Sequence, residues 1–173
     1  MPLTLIKETG AGLVDANAYA DAADGDAYHA GHLYATAWTA ATLANQEAAL
    51  VMATRLIDGE YQFAGWKTSA TQALQWPRAS CLDPDAADAD VPSDTVPSAV
   101  VAATCELARE LLVADRTTAP PGEGLKYESV GTTQTGYDKS DKRPVIPPVA
   151  QALLGKFGTL LNRRSGAVRL MRV

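Results

Sequence analysis

Apolar residues recur at helical spacing in four stretches of this chain. The longest runs from Thr39 to Asp58, with Leu43, Leu50, Ala53, Leu56 and Ile57 on one broad face. Thr39 is placed to cap it, Trp38 and Leu43 to form a hydrophobic staple, and Gly59 to stop it in the left-handed conformation. The clearest amphipathic pattern starts at Pro97, a good first residue for a helix. It runs to about Asp115, with Val100, Val101, Thr104, Leu107, Ala108, Leu111 and Leu112 inward. Ala20 to Gly31 predicts a shorter helix, acidic at its start as the helix dipole favours, with Ala23, Ala27, Tyr28 and Leu33 inward. A last helix starts at Pro147 or Pro148 and runs to about Leu161, with Val149, Leu153, Phe157 and Leu160 at core spacing. Gly155 and Gly158 weaken it.

Alternation replaces the helical period in two places. Residues 125–130 and 133–137 flank Gly131 and predict a β-hairpin. Its side chains are polar on both faces, and an isolated hairpin is marginal in water, so it is expected to pair with something. Residues 163–173 alternate basic and apolar side chains and read as an extended arm. Leu3 to Val14 is extended, and Leu82 to Thr95, rich in Asp, Ala and Pro, is an exposed loop. The fold class that follows is mainly α: a small helical bundle of about four helices with an inserted β-hairpin and an extended C-terminal arm. The divisions are an N-terminal extended segment (1–16), a helical domain (17–161, hairpin about 125–138) and the arm (162–173).

Aromatic residues cluster after the longest helix. Tyr61, Phe63, Trp66 and Trp76 crowd into one turn and loop, and with Trp38 they form the expected knot of the core.

Length and charge narrow the function. A chain of 173 residues is one domain and can bury a substantial core. Much of its 47% apolar content is alanine, which favours closely spaced helices. The net charge of −5 argues against a general nucleic-acid coat, which needs clustered Lys and Arg. The charge is also partitioned. Asp83, Asp85, Asp88, Asp90 and Asp94 form an acidic run; Lys156, Arg163, Arg164, Arg169 and Arg172 follow later with no acid among them. An acidic body with a basic tail suggests a tail made for a partner. The first residues lack the pattern of a secretory signal, and no stretch approaches the roughly 20 apolar residues of a membrane span. A reducing cytoplasm is therefore the expected compartment, with Cys81 and Cys105 as buried thiols.

Chemistry is sparse. Asp26, His29 and His32 share a helical face, but a metal site needs three or four convergent ligands; solvated histidines are the simpler expectation. The Asp83–Asp90 run lacks the glycine and the terminal glutamate of a calcium loop. No nucleophile elbow or phosphate-binding glycine loop is present, so neither a cofactor nor an enzyme is expected. Trp66, Trp76, Tyr61 and Phe63 near Lys67 and Arg78 could stack bases, though a structural cluster accounts for them more simply. The arm's alternation suits strand addition to a partner.

Three segments together carry a resemblance. They are Ala49-Leu50-x-Met52-Ala53-Thr54-Arg55-Leu56-Ile57-Asp58-Gly59, then Gln72-Ala73-Leu74-x-Trp76-Pro77-Arg78, then the Val-Pro-initiated helix with Cys105-Glu106-Leu107-Ala108. With the hairpin Lys126-x-Glu128-Ser129-Val130-Gly131 and the ending Val168-Arg169-Leu170-x-Arg172-Val173, the chain resembles the tailed-phage head–tail connector (adaptor, or head completion) proteins. That group is often labelled DnaT-like single-stranded-DNA-binding. The resemblance implies a virion neck protein, made in the host cytoplasm, with twelve copies in a ring beneath the portal protein. Neighbouring copies, the portal and a tail-side stopper or nozzle protein would be its partners, and DNA would pass through the lumen without sequence readout. Arg163, Arg164, Arg169 and Arg172 would pair charges. Val168, Leu170, Met171 and Val173 would anchor, and Tyr127, Glu128 and Val130 of the hairpin would add contacts. The rival expectation is a single-stranded-DNA-binding replication accessory protein; a hydrolase using His29 or His32 is a third.

Overall fold

A computed structural model describes residues 3–119, 127–130, 133–136 and 143–161. Among the described residues five helices carry the fold: α1 (Ala22–His29), α2 (Thr36–Thr39), α3 (Leu43–Glu60), α4 (Ser98–Val113) and α5 (Pro148–Leu154). Six short strands pair two by two: β1 (Tyr61–Phe63) with β6 (Gly158–Leu160), β2 (Trp66–Lys67) with β3 (Arg78–Ala79), and β4 (Tyr127–Val130) with β5 (Thr133–Gly136), all antiparallel. The expected class, a mainly helical bundle with an inserted hairpin, is the observed one.

Helix α4 is the axis of the bundle. It packs against α3, α5, α1 and α2, because Val100, Ala103, Thr104, Leu107 and Ala108 are fully buried or nearly so on its inward face. Pro97 stands just outside as the N-cap rather than as the first helical residue.

The start of α3 differs from expectation. Thr42, not Thr39, caps it, accepting from the Asn45 N–H at 3.3 Å. Thr36–Thr39 forms a separate helical turn whose purpose is to bury Trp38. The staple is absent: Trp38 is internal while Leu43 is exposed. Gly25 of α1 makes room for the Trp38 indole, since a Cβ there would lie 2.2 Å from Cζ2 of the ring. The indole Nε1 donates to Asp26 at 2.8 Å.

α1 is therefore rotated from the predicted face. Gly25 and His29 are buried, whereas Ala23, Ala27 and Leu33 are exposed. Seating a large indole on a glycine outweighs the small gain from burying two alanines. A capping box between Asp21 and Asp24 opens this helix, and Lys7 bridges both carboxylates.

Two glycines do not act as expected. α3 runs through Gly59 to Glu60 and ends where Tyr61 turns extended to join β1. The last helix stops at Leu154 with Gly155 as C-cap, and the chain returns as β6 beside β1. Gly158 permits this approach: a Cβ would lie 2.6 Å from the Gln62 carbonyl oxygen. Phe157 still reaches the core, edge-on to Trp76 at 5.7 Å.

The N-terminal stretch is folded on itself by one carboxylate, and the Ala73 N–H donates to the Leu13 carbonyl at 2.9 Å to tie it to the tryptophan loop. Glu8, almost fully buried, accepts the N–H groups of Gly10, Gly12 and Leu13 at 2.8, 3.0 and 2.8 Å. Gly10 has φ +101°, and a Cβ would lie 1.9 Å from the Asp94 carbonyl oxygen, so no other residue fits that turn.

Candidate functional site

The aromatic knot is a core and not a platform. Trp38 and Trp76 are completely buried, and Tyr61 and Phe63 nearly so. Phe63 stands edge-on to Trp76 at 5.6 Å and stacks on Tyr61 at 5.8 Å. Trp66 is the departure: it sits on β2 at 62% exposure, outside the knot. The neighbouring cations are already engaged. Lys67 Nζ donates to the carbonyls of Gln72 and Ala73 at 3.4 Å. Arg78 is buried and donates to the carbonyls of Phe63, Ala64, Gly65 and Gln75 and to the Gln75 side chain. Its planar fork ties the loop before β3 to the turn after β1.

A second cluster, partly buried, was not legible in the sequence. The Tyr19 hydroxyl donates to Asp58 at the end of α3, and both groups receive the Gln75 N–H, at 3.1 and 3.0 Å. The Trp76 N–H also donates to the Tyr19 hydroxyl, at 3.2 Å. Burial pushes the Asp58 carboxyl up to about 6, although these donors and the charges of Lys67 and Arg78 oppose it. Burial and the Asp58 charge also hold the Tyr19 phenol well above its usual value. Spacing alone could not bring residues 19, 58 and 75 together.

The histidine group is dispersed. Asp26 is taken by Trp38, His29 Nε2 lies 3.2 Å from the Cys105 carbonyl oxygen, and His32 lies 3.9 Å from Glu106. His29 is thus a core side chain, not a solvated one, and its burial lowers its pKa. Among the described residues no three metal-ligating side chains converge. In the acidic loop, Asp83 accepts the Asp85 N–H and Asp85 pairs with Lys156 at 2.9 Å. Both cysteines are free and buried; burial raises the Cys81 thiol and pushes Cys105 up to about 12. Neither is a thiolate nucleophile in this setting.

Of the residues proposed to meet partners, Tyr127, Glu128 and Val130 lie on β4, opposite Gly136, Thr135 and Thr133 of β5. Arg163, Arg164, Val168, Arg169, Leu170, Met171, Arg172 and Val173 lie outside the described residues. The chain is last described at Leu161, whose N–H donates to the Glu60 carbonyl at 2.7 Å. The structure also exposes apolar side chains that the pattern had not marked as surface: Leu33 at 91%, Tyr34, Val113 and Val149. None of the described helices is long and apolar enough to cross a membrane.

No curated protein and no solved structure matches this chain. One family model, described as "Putative DnaT-like ssDNA binding protein", matches residues 3–173. With nearly every residue inside that match, the chain belongs to the DnaT-like family.

Proposed function

We propose that this protein is a structural adaptor of a tailed-phage neck, forming a ring that joins portal to tail and gives DNA a passage. The observation that carries the reading is the hairpin. β4 and β5 pair with each other and with no other described strand. A lone two-stranded hairpin is marginal in water, so a surface on another chain is its natural support. Charge supports the same reading. Residues 162–173 carry four arginines and no acid, which leaves −9 on residues 1–161 of a chain whose net charge is −5. A positive arm and a negative body allow head-to-tail contacts around a closed ring. An acidic lumen would let DNA slide through without holding it.

The test is native mass, alone and with a portal protein, for the full chain and for one ending at Asn162. Ring-sized assemblies and a portal complex that the shortened chain cannot form are expected. A full-length chain that stays monomeric and ignores the portal refutes the reading.

A second reading, binding of single-stranded DNA, is favoured by the family's description and by exposed Trp66 beside Lys67. It requires salt-sensitive binding of a labelled oligonucleotide that Trp66→Ala abolishes. Against a stacking platform, the other tryptophans are internal and Arg78 is committed to carbonyls.

A further inference from the structure

An open groove of about 200 Å³ lies between α3 and α4, lined by Asn45, Ala48, Ala49, Met52, Leu111 and Leu112. The four α3 residues stand at i, i+3, i+4 and i+7, a single stripe. Leu111 and Leu112 close the groove from the last turn of α4. No lining side chain is charged, so the groove rewards apolar occupants. Its surroundings are apolar as well. Leu43 opens α3 two residues before Asn45 and Val113 closes α4 just after Leu112, both exposed. The same end of the bundle carries charges of both signs. It holds the C-terminus of α4, the negative end of that helix's dipole, with Glu110 and exposed Asp115 close in the chain. Glu106 and Glu110 are paired there with Arg109 and Arg116, and Arg143 donates to the Asp115 carbonyl, so the Asp115 carboxylate and the helix terminus are the negative features left facing outward.

We infer, resting on the ring reading above, that this groove receives the C-terminal arm of a second copy of the chain. Val168, Leu170, Met171 and Val173 fill it, and Arg169 and Arg172 face Asp115 and the C-terminus of α4. Length and direction fit. Twelve residues follow Leu161, which is fastened to Glu60 at the opposite end of α3. Extended, they reach up to about 40 Å. The stripe from Asn45 to Met52 is roughly 10 Å long, and an extended Val168–Val173 covers about 17 Å. Charge fits too, since the arm's four arginines meet a body of net charge −9. Each subunit then offers a groove at one end of α3 and an arm from the other, which is the arrangement that propagates around a ring.

The experiment uses cysteine pairs in the full chain. Ala48→Cys on one preparation and Leu170→Cys on another are mixed and oxidised with copper phenanthroline. Ala48 is exposed and tolerates the change, and Cys81 and Cys105 are buried and stay out of reach. A disulfide between unlike chains is the expected product, and Leu170→Ala weakens self-association roughly tenfold. Two results overturn the groove assignment while leaving the ring intact: unchanged self-association in a chain ending at Leu161, or oligomers with no cross-link. A doubly substituted chain that closes its own disulfide as a monomer overturns the second copy as occupant. A full-length chain that is monomeric alone and with a portal overturns the ring reading and this inference together.

Discussion

Replacing Asp58 by asparagine isolates the partly buried cluster beneath the tryptophan loop. The wild-type carboxyl is raised from its ordinary 3.8 to about 6, chiefly by burial. A raised folded-state value means that the folded chain holds a proton that the unfolded chain releases. Stability from this group is therefore fully present below about pH 4, falls as pH rises through 6, and is level above it. A displacement of about two pH units corresponds to about 3 kcal/mol. Asp58→Asn has no such titration, and it also places an amide N–H against one of the donors from Tyr19 and Gln75. Urea unfolding of both proteins at pH 4 and pH 7 gives the difference directly, because the other carboxylates cancel. The wild type's stability relative to the variant is expected to be greater at pH 4 than at pH 7 by about 2 kcal/mol, or roughly 4–8 °C in Tm. A difference that stays constant, or that moves toward the wild type as pH rises, would refute the argument. It would mean that the donors from Tyr19 and Gln75 outweigh the burial.

Four further outcomes follow from the packing. Gly25→Ala gains about 1 kcal/mol of helix propensity, but its methyl meets the buried Trp38 indole. Overpacking costs about 1–3 kcal/mol, so thermal unfolding should show a net loss with a change in Trp fluorescence. Arg78→Lys keeps the charge and loses the planar fork that meets four carbonyls and an amide oxygen. A loss of about 2–4 kcal/mol is expected by chemical denaturation. Trp66→Ala, at an exposed site, should change stability by less than about 1 kcal/mol, which makes it a clean test of DNA binding. Both thiols should react with a disulfide reagent only at the rate of unfolding, since each is buried and raised in pKa; fast native-state labelling would contradict the burial.

The sequence alone determined the helical class, the α3 and α4 segments within a few residues, the place of the hairpin strands and the two buried thiols. These rest on local signals: a 3.6-residue period, alternation, and proline or glycine at boundaries. It also marked the split between an acidic body and a basic arm, because charge partition needs no coordinates. Tertiary structure decided what local signals leave open. Which face of α1 turns inward depended on Gly25 lying under Trp38, a contact between two helices. Whether Gly59 or Gly158 ends an element or lets a strand approach depended on β6 returning to β1. Asp58 became a half-buried acid only when Tyr19 and Gln75, distant in the chain, closed over it. Trp66 and Trp76 look alike in the sequence, yet one is surface and the other core, because the β2–β3 pairing turns the first outward while the knot encloses the second. Periodicity records how each segment can be buried; which segment covers which is set by the packing of all of them at once.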